Sequence, residues 1–396
     1  MEEQFDYIIT AEERAARRAE RTAARAERNR KKRKQFFKNF FICTGICLGV
    51  ALCVGLGLKL VQSISSDDPT GEKSADKISL SPANDSDSQY VQGDSNSFHS
   101  AASNSSYPPP ESSAHEPEDT SEPPFSLTAD KNTVNIGKEL SSKHAIVIDL
   151  NSKTILAQKA ADTIISPASM TKILTILVAA EHIKDPAELD NTVTIDLRIT
   201  DYCYTNECSV AGFVRGEEVT VRNLFYGTIL PSGADAALGL ANYIAGSQEN
   251  FVVLMNEKVE ELGLSETAHF TNCIGLYNKK NVCTVYDIAM ILRAAMENEL
   301  CRQILTTKIY EIPASTDHPD GMILSNWFLR RIEDYVPDGM EVIGAKTGYV
   351  SQAGNCAASI ALTEDGSYFI CVTANTTSSK QCVQDHVQLY TTYLGF

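Results

Sequence analysis

Three hydrophobic patterns divide the 396-residue chain. The first is the uncharged run "FFICTGICLGVALCVGLGL", Phe40 to Leu58. It is about as long as one helix must be to cross a bilayer core. The second pattern is a near absence of branched apolar residues from 62 to 130, where Ser, Pro and Asp dominate. Such a segment cannot bury enough surface to fold and predicts a disordered spacer. The third pattern is an alternation of short apolar periods from about Leu140 onward. "HAIVIDL" and "TILAQKA" predict two strands around the turn "NSK". "IISPASMTKILTILVAAEHI", Ile164 to Ile183, is almost wholly apolar and predicts a buried helix opening after Pro167. "TVRNLFYGTILPSGADAALGLANYIAG" and "NFVVLMNEKVEELGL" show helical spacing and end at Gly. "EVIGAKTGYV", "NCAASIALTE" and "SYFICVTAN" predict strands, and "KQCVQDHVQLYTTYL" a last helix.

A strand pair, a helical middle, three strands and a helix define an α+β fold. Its expected form is an antiparallel sheet with helices on its faces and a helical insertion. The organisation read from the chain is a basic tail at 1–39, a transmembrane helix at 40–61, a linker at 62–130 and a folded domain at 131–396. Charge sharpens this picture. Residues 1 to 39 carry twelve Lys/Arg against seven Asp/Glu, while the whole chain has net charge −16. The strongly acidic remainder argues against nucleic acid as a partner of the main body. The positive-inside rule places the tail in the cytoplasm and everything after Lys59 outside a cell membrane crossed once. A long basic region and the lack of a small-x-small cleavage site favour a retained anchor over a cleaved signal peptide. The tail has no cysteine, whereas eight lie beyond the apolar run. An oxidising compartment predicts disulfides there. Short separations single out Cys203–Cys208 and Cys273–Cys283. Zinc is the competing reading of these cysteines, disfavoured because no CxxC pair occurs and few histidines lie near.

The candidate chemistry begins with a lysine out of place. Lys172 sits inside the apolar helix, one turn after Ser169. Burying an unpaired ammonium costs several kcal/mol, so either Lys172 snorkels at a surface end or it is functional. Three residues apart on a helix means one face. Ser169 would meet the N-terminal backbone N–H groups there, and a desolvated Lys172 would be a neutral amine able to act as a base. Ser-x-x-Lys also occurs as "SADK", Ser74 to Lys77, within the spacer and with nothing around it to activate a serine. "LPSGADAA" offers Ser232 on a loop before a helix, either as a proton relay or as a plain N-cap. "GAKTGYV" offers Lys346 and Thr347 to grip a carboxylate, and Gly348 to let a ligand backbone approach the strand edge.

The set Ser-x-x-Lys, Ser-Gly-x and Lys-Thr-Gly resembles the active-site motifs of penicillin-recognising serine enzymes. "AADTIISPASMTKILT", "RGEEVTVRNLFYGTILPSGADAALGLANYIAGS", "HFTNCIGL" and "KTGYVSQAGNC" are similar to serine D-alanyl-D-alanine carboxypeptidases, the low-molecular-mass penicillin-binding proteins. The resemblance spans roughly Leu140 to Phe396. It implies a β-lactamase/transpeptidase-like fold and removal of the terminal D-alanine from peptidoglycan stem peptides. It implies Ser169 as the acylated nucleophile, Lys172 as its base and Ser232 as the proton relay. Lys346, Thr347 and Gly348 would bind the substrate, with the N–H groups of Ser169 and Tyr349 as oxyanion hole. β-Lactam antibiotics would be covalent inhibitors, and no metal or organic cofactor is implied. One departure stands out: Ala234 occupies the third position of the middle motif, where the family usually has Asn. The chain also ends at Phe396, just after the catalytic fold, where family members often carry a further β-domain. Two rivals remain at this level, a β-lactamase and a non-catalytic penicillin-fold sensor or scaffold.

Overall fold

The computed structural model describes residues 127–396; the basic tail, the apolar run and nearly all of the spacer lie outside them. Along the chain come strands β1 (Val134–Asn135), β2 (His144–Asp149) and β3 (Thr154–Lys159), then helix α1 (Thr171–His182). A ribbon of β4 (Thr192–Thr194) and β5 (Glu218–Thr220) brackets α2 (Leu197–Thr205). Helices α3 (Val221–Ile229), α4 (Ala234–Ala245), α5 (Gln248–Glu261), α6 (Val285–Glu297) and α7 (Glu299–Leu305) follow. The hairpin β6 (Ile309–Ile312) and β7 (Met322–Ser325) leads to α8 (Trp327–Ile332). Strands β8 (Met340–Val350), β9 (Gly354–Thr363) and β10 (Tyr368–Thr376) and helix α9 (Ser379–Tyr393) complete the domain.

The central sheet has the order β1-β3-β2-β10-β9-β8. Its five longer strands pair antiparallel, as the sequence predicts. The sheet is nevertheless mixed, because the two-residue β1 pairs parallel with β3. So short a strand carries no periodic signal, which is why pattern alone misses it. Strand alternation then builds two cores. Ile146, Ile148, Ile360, Ile370 and Val372 face the large helical core of α1 and α6. Ala145, Val147, Ala345, Ala357 and Cys371 face a smaller core under α8 and α9, with Phe328, Leu329, Val383 and Tyr390.

Capping explains the helix starts. Thr220, Ser247, Asn298, Asn326 and Ser378 each accept a backbone N–H from the first turn of the helix they precede. Thr284 and Asp287 form a reciprocal capping box on α6. The long helical stretch after Thr220 is two helices, broken across Leu230 to Gly233. Among the described residues no helix is long and apolar enough to cross a membrane.

The expected disulfides are not formed. All eight cysteines of the described residues are free thiols. The neighbouring Cys208 side chain, and then burial, push the Cys203 thiol's pKa up and keep it protonated. Cys283 lies in a β-bridge with Ile165, while the Cys273 sulfur sits 3.8 Å from the Ala237 carbonyl of α4. Short sequence separation did not bring this second pair of thiols together, since each is drawn to a different element.

Candidate active site

Ser169 sits in a 3-10 turn, Ala168–Met170, which runs into α1. Ala168 holds φ 48°, a left-handed conformation that costs a non-glycine residue about 1 to 2 kcal/mol. Ser169 stays half-buried, at the mouth of a helix whose first ten residues are all buried. Lys172 is 2% exposed and does not snorkel. Its Nζ donates to Ser169 Oγ at 3.1 Å and to the Ile274 carbonyl at 2.7 Å. Burial lowers its pKa from 10.5 to about 8, partly opposed by the thiols of Cys273 and Cys208 and by Asp235.

The Ile274 carbonyl is held in place by a residue that motif reading passed over. Asn272 Oδ1 accepts from the N–H groups of Ile274, Gly275 and Leu276 at 3.3, 2.7 and 3.0 Å. Thr175 of α1 binds the same loop through the Cys273 carbonyl at 2.6 Å. Gly275, with φ 82°, must lack a side chain: a Cβ there would lie 2.0 Å from the Ala168 carbonyl oxygen. The signal was "TNCIG", an Asn three residues before a Gly, which is turn chemistry.

Ser232 is not an N-cap. Gly233 occupies that position on α4, and Ser232 holds φ 66° with Oγ accepting from Lys346 Nζ at 2.9 Å. Asp235, two residues into the same turn, is 2% exposed. It accepts from the N–H groups of Ala211, Gly212 and Phe213 at 2.7, 3.0 and 3.2 Å, tying that loop to α4. Lys346 is 1% exposed and also donates to the Thr347 carbonyl at 2.7 Å. Burial, and then the charge of Lys172, push its pKa well down. Lys346 therefore stands behind Ser232, not on the open surface.

Strand β8 runs two residues past Gly348, to Val350. The space a side chain would need at Gly348 is taken by the protein itself. A Cβ there would lie 3.0 Å from both Ala168 Cβ and Ser169 N, so this glycine lets β8 press against the turn that carries Ser169. Asn326 Nδ2 fixes the other side of the strand, donating to the Ala345 carbonyl at 2.8 Å.

Two cavities meet at Ser169 and Tyr349. One, about 360 Å³, runs past Ser232, Thr347 and Trp327 to Ser379 at the start of α9. The other, about 420 Å³, runs past Lys172 and Ala234 to Glu207, Tyr277 and Gln352. Among the described residues no group of three His, Cys, Asp or Glu side chains is placed to hold a metal ion. What the site can do chemically is clear from its bonds: each of two buried amines holds one serine hydroxyl, and both hydroxyls line one cavity.

The fold is that of the penicillin-binding, transpeptidase-like serine hydrolases. The family model for D-alanyl-D-alanine carboxypeptidase matches residues 129–378, and the chain belongs to that family. It is 36% identical over 209 residues to a D-alanyl-D-alanine carboxypeptidase of Streptomyces sp. strain K15, a match that takes in 51% of this chain and 70% of the relative. It is 30% identical over 233 residues to the carboxypeptidase DacF of Bacillus subtilis, covering 59% of this chain and 56% of that protein. The crystal structure of the Streptomyces K15 DD-transpeptidase superposes with TM-score 0.59 at 30% identity, over 66% of this chain and 100% of that one.

Proposed function

We propose that the chain removes the terminal D-alanine from peptidoglycan stem peptides ending in D-alanyl-D-alanine, through an acyl-enzyme on Ser169. The observation that carries this reading is the pair of buried lysines, each bonded to a serine hydroxyl facing the same cavity. Lys172 takes the proton as Ser169 Oγ attacks the carbonyl carbon of the penultimate D-alanine. The N–H groups of Ser169 and Tyr349 receive the oxyanion. Thr347 and the charge of Lys346 hold the substrate carboxylate, whose arrival favours protonated Lys346. As the tetrahedral intermediate collapses, the C–N bond breaks and Ser232 relays to the departing amine the proton that Lys172 took from Ser169, so that Ser232 and Lys172 both end the step in their starting protonation states. Water then attacks the ester, releases the shortened peptide and returns the proton to Ser169. β-Lactams acylate the same oxygen. The apolar run 40–61 anchors the protein in the cell membrane, with 1–39 in the cytoplasm and the catalytic domain outside.

The test uses the full chain in detergent, a pentapeptide ending in D-alanyl-D-alanine and a fluorescent penicillin. Wild type releases D-alanine and is labelled. Ser169→Ala loses both by a thousandfold or more, on the order of a nucleophile's contribution. Ser74→Ala changes neither. Labelling that persists in Ser169→Ala refutes the assignment of the nucleophile.

A further inference from the structure

The two cavities that meet at Ser169 differ in charge. The one past Ser232 and Thr347 has Lys346 behind it and no carboxylate among its lining residues. The other has one carboxylate, Glu207, and its one cation, Lys172, is buried beneath Ser169. Glu207 holds φ 49° at the end of α2, a left-handed turn that sets the residue on the cavity wall. No described residue pairs with its side chain, which is exposed. Its neighbours on the wall are neutral donors and acceptors, Asn206 and Gln352, together with the half-exposed ring of Tyr277.

This polarity has a direction. A peptide acylating Ser169 places its terminal carboxylate toward Thr347 and Lys346. The rest of the peptide, the part that stays on the enzyme as the ester, must leave by the other cavity, past Tyr349 and toward Glu207. Ala234 leaves that route wide, since it brings no side chain beyond Cβ to the wall. Leu276 and Tyr277 supply apolar surface on the way, suited to a methylene chain. A carboxylate at the far end of an apolar wall recognises a cation carried on such a chain.

Resting on the carboxypeptidase reading, we propose that Glu207 is a specificity-determining residue that receives a free primary amine on the side chain of the residue preceding D-alanyl-D-alanine. The preferred substrate is then a stem peptide whose diamino acid is not yet acylated. That places the enzyme's action before, or in competition with, the acyl-transfer reaction that consumes this amine in cross-linking.

The experiment compares two tripeptides on the full chain. Both are N-α-acetyl-lysyl-D-alanyl-D-alanine; one has a free ε-amine and the other an acetylated one. Wild type should release D-alanine from the free-amine peptide with kcat/KM about fivefold higher, the range of a partly exposed ion pair. The preference should shrink as salt rises. Glu207→Gln should bring the ratio near one, Glu207→Asp should keep it, and Glu207→Lys should invert it. Equal turnover of the two peptides by wild type, or a preference that survives in Glu207→Gln, overturns the proposal and leaves the carboxypeptidase reading standing. No D-alanine release from either peptide overturns both.

Discussion

On one face of the central sheet, Lys172 and Lys346 are buried with little to neutralise them. On the other face, His386 and Asp385 of α9 are buried just as deeply, yet every polar atom there has company. His386 meets Ser359 Oγ at 2.8 Å and Thr373 Oγ1 at 2.9 Å, and Tyr390 reaches the same Ser359 at 2.8 Å. Asp385 accepts from the Ser142 N–H at 2.7 Å and from Gln381 at 2.9 Å. A satisfied network rigidifies a core. Two amines in one core, whose charges repel, do the opposite. The stress falls at Ser169 and Ser232, beside left-handed backbone at Ala168 and Ser232 itself. One face is built for stability, and the other holds groups poised to exchange protons.

The sharpest way to break this comparison is to remove the stress. Lys172→Met should lower acylation by penicillin by about 10² to 10⁴, the range of a general base. The same change should raise Tm, because the fall from 10.5 to about 8 means that burying the ammonium costs about 3 kcal/mol at neutral pH. Losing the bond to the Ile274 carbonyl offsets part of that gain. Wild-type acylation should rise with pH and level off above about 8, as Lys172 loses its proton. A Tm that falls sharply in Lys172→Met would show that this lysine is structural instead.

The opposite face predicts an opposite signature. Burial lowers the His386 pKa from 6.5 to about 4. Between those values the unfolded chain binds the proton and the folded one does not. Stability should therefore fall as pH drops from about 6.5 to 4, by about 3 kcal/mol in full. His386→Gln should flatten this part of the Tm profile. Ser359→Ala should cost about 1 to 3 kcal/mol by leaving buried partners unsatisfied, with acylation by the folded protein unchanged. An acylation rate that falls in step with stability would mean that the two faces are coupled.

The smallest effect belongs to Ala234. It is 1% exposed and lines the Lys172 cavity without an amide to offer. Lys172 takes the Ile274 carbonyl as its second partner. If that carbonyl fills the role of the usual Asn, Ala234→Asn should slow D-alanine release, by about tenfold, through crowding and a competing bond. A gain would show that the site lacks the amide. No release from either protein, with labelling of both, would favour the sensor reading.

Much of this protein was decided locally. Lys172 one turn after Ser169, inside an apolar helix, follows from helical periodicity alone. So does the break before α4, because "LPSG" cannot continue a helix. The five long strands announce themselves by period and composition. Other features needed the folded chain. The parallel edge strand β1 is too short to carry a pattern. The free thiols at Cys273 and Cys283 contradict their spacing, since contacts with different elements separate them. That Lys346 lies behind Ser232, that Gly348 serves the protein's own packing, and that Asn272 steadies the partner of Lys172 are long-range facts. Local sequence specifies which face a residue takes and what its backbone tolerates. It does not say what will stand opposite, because that depends on elements a hundred residues away closing on the same few ångströms.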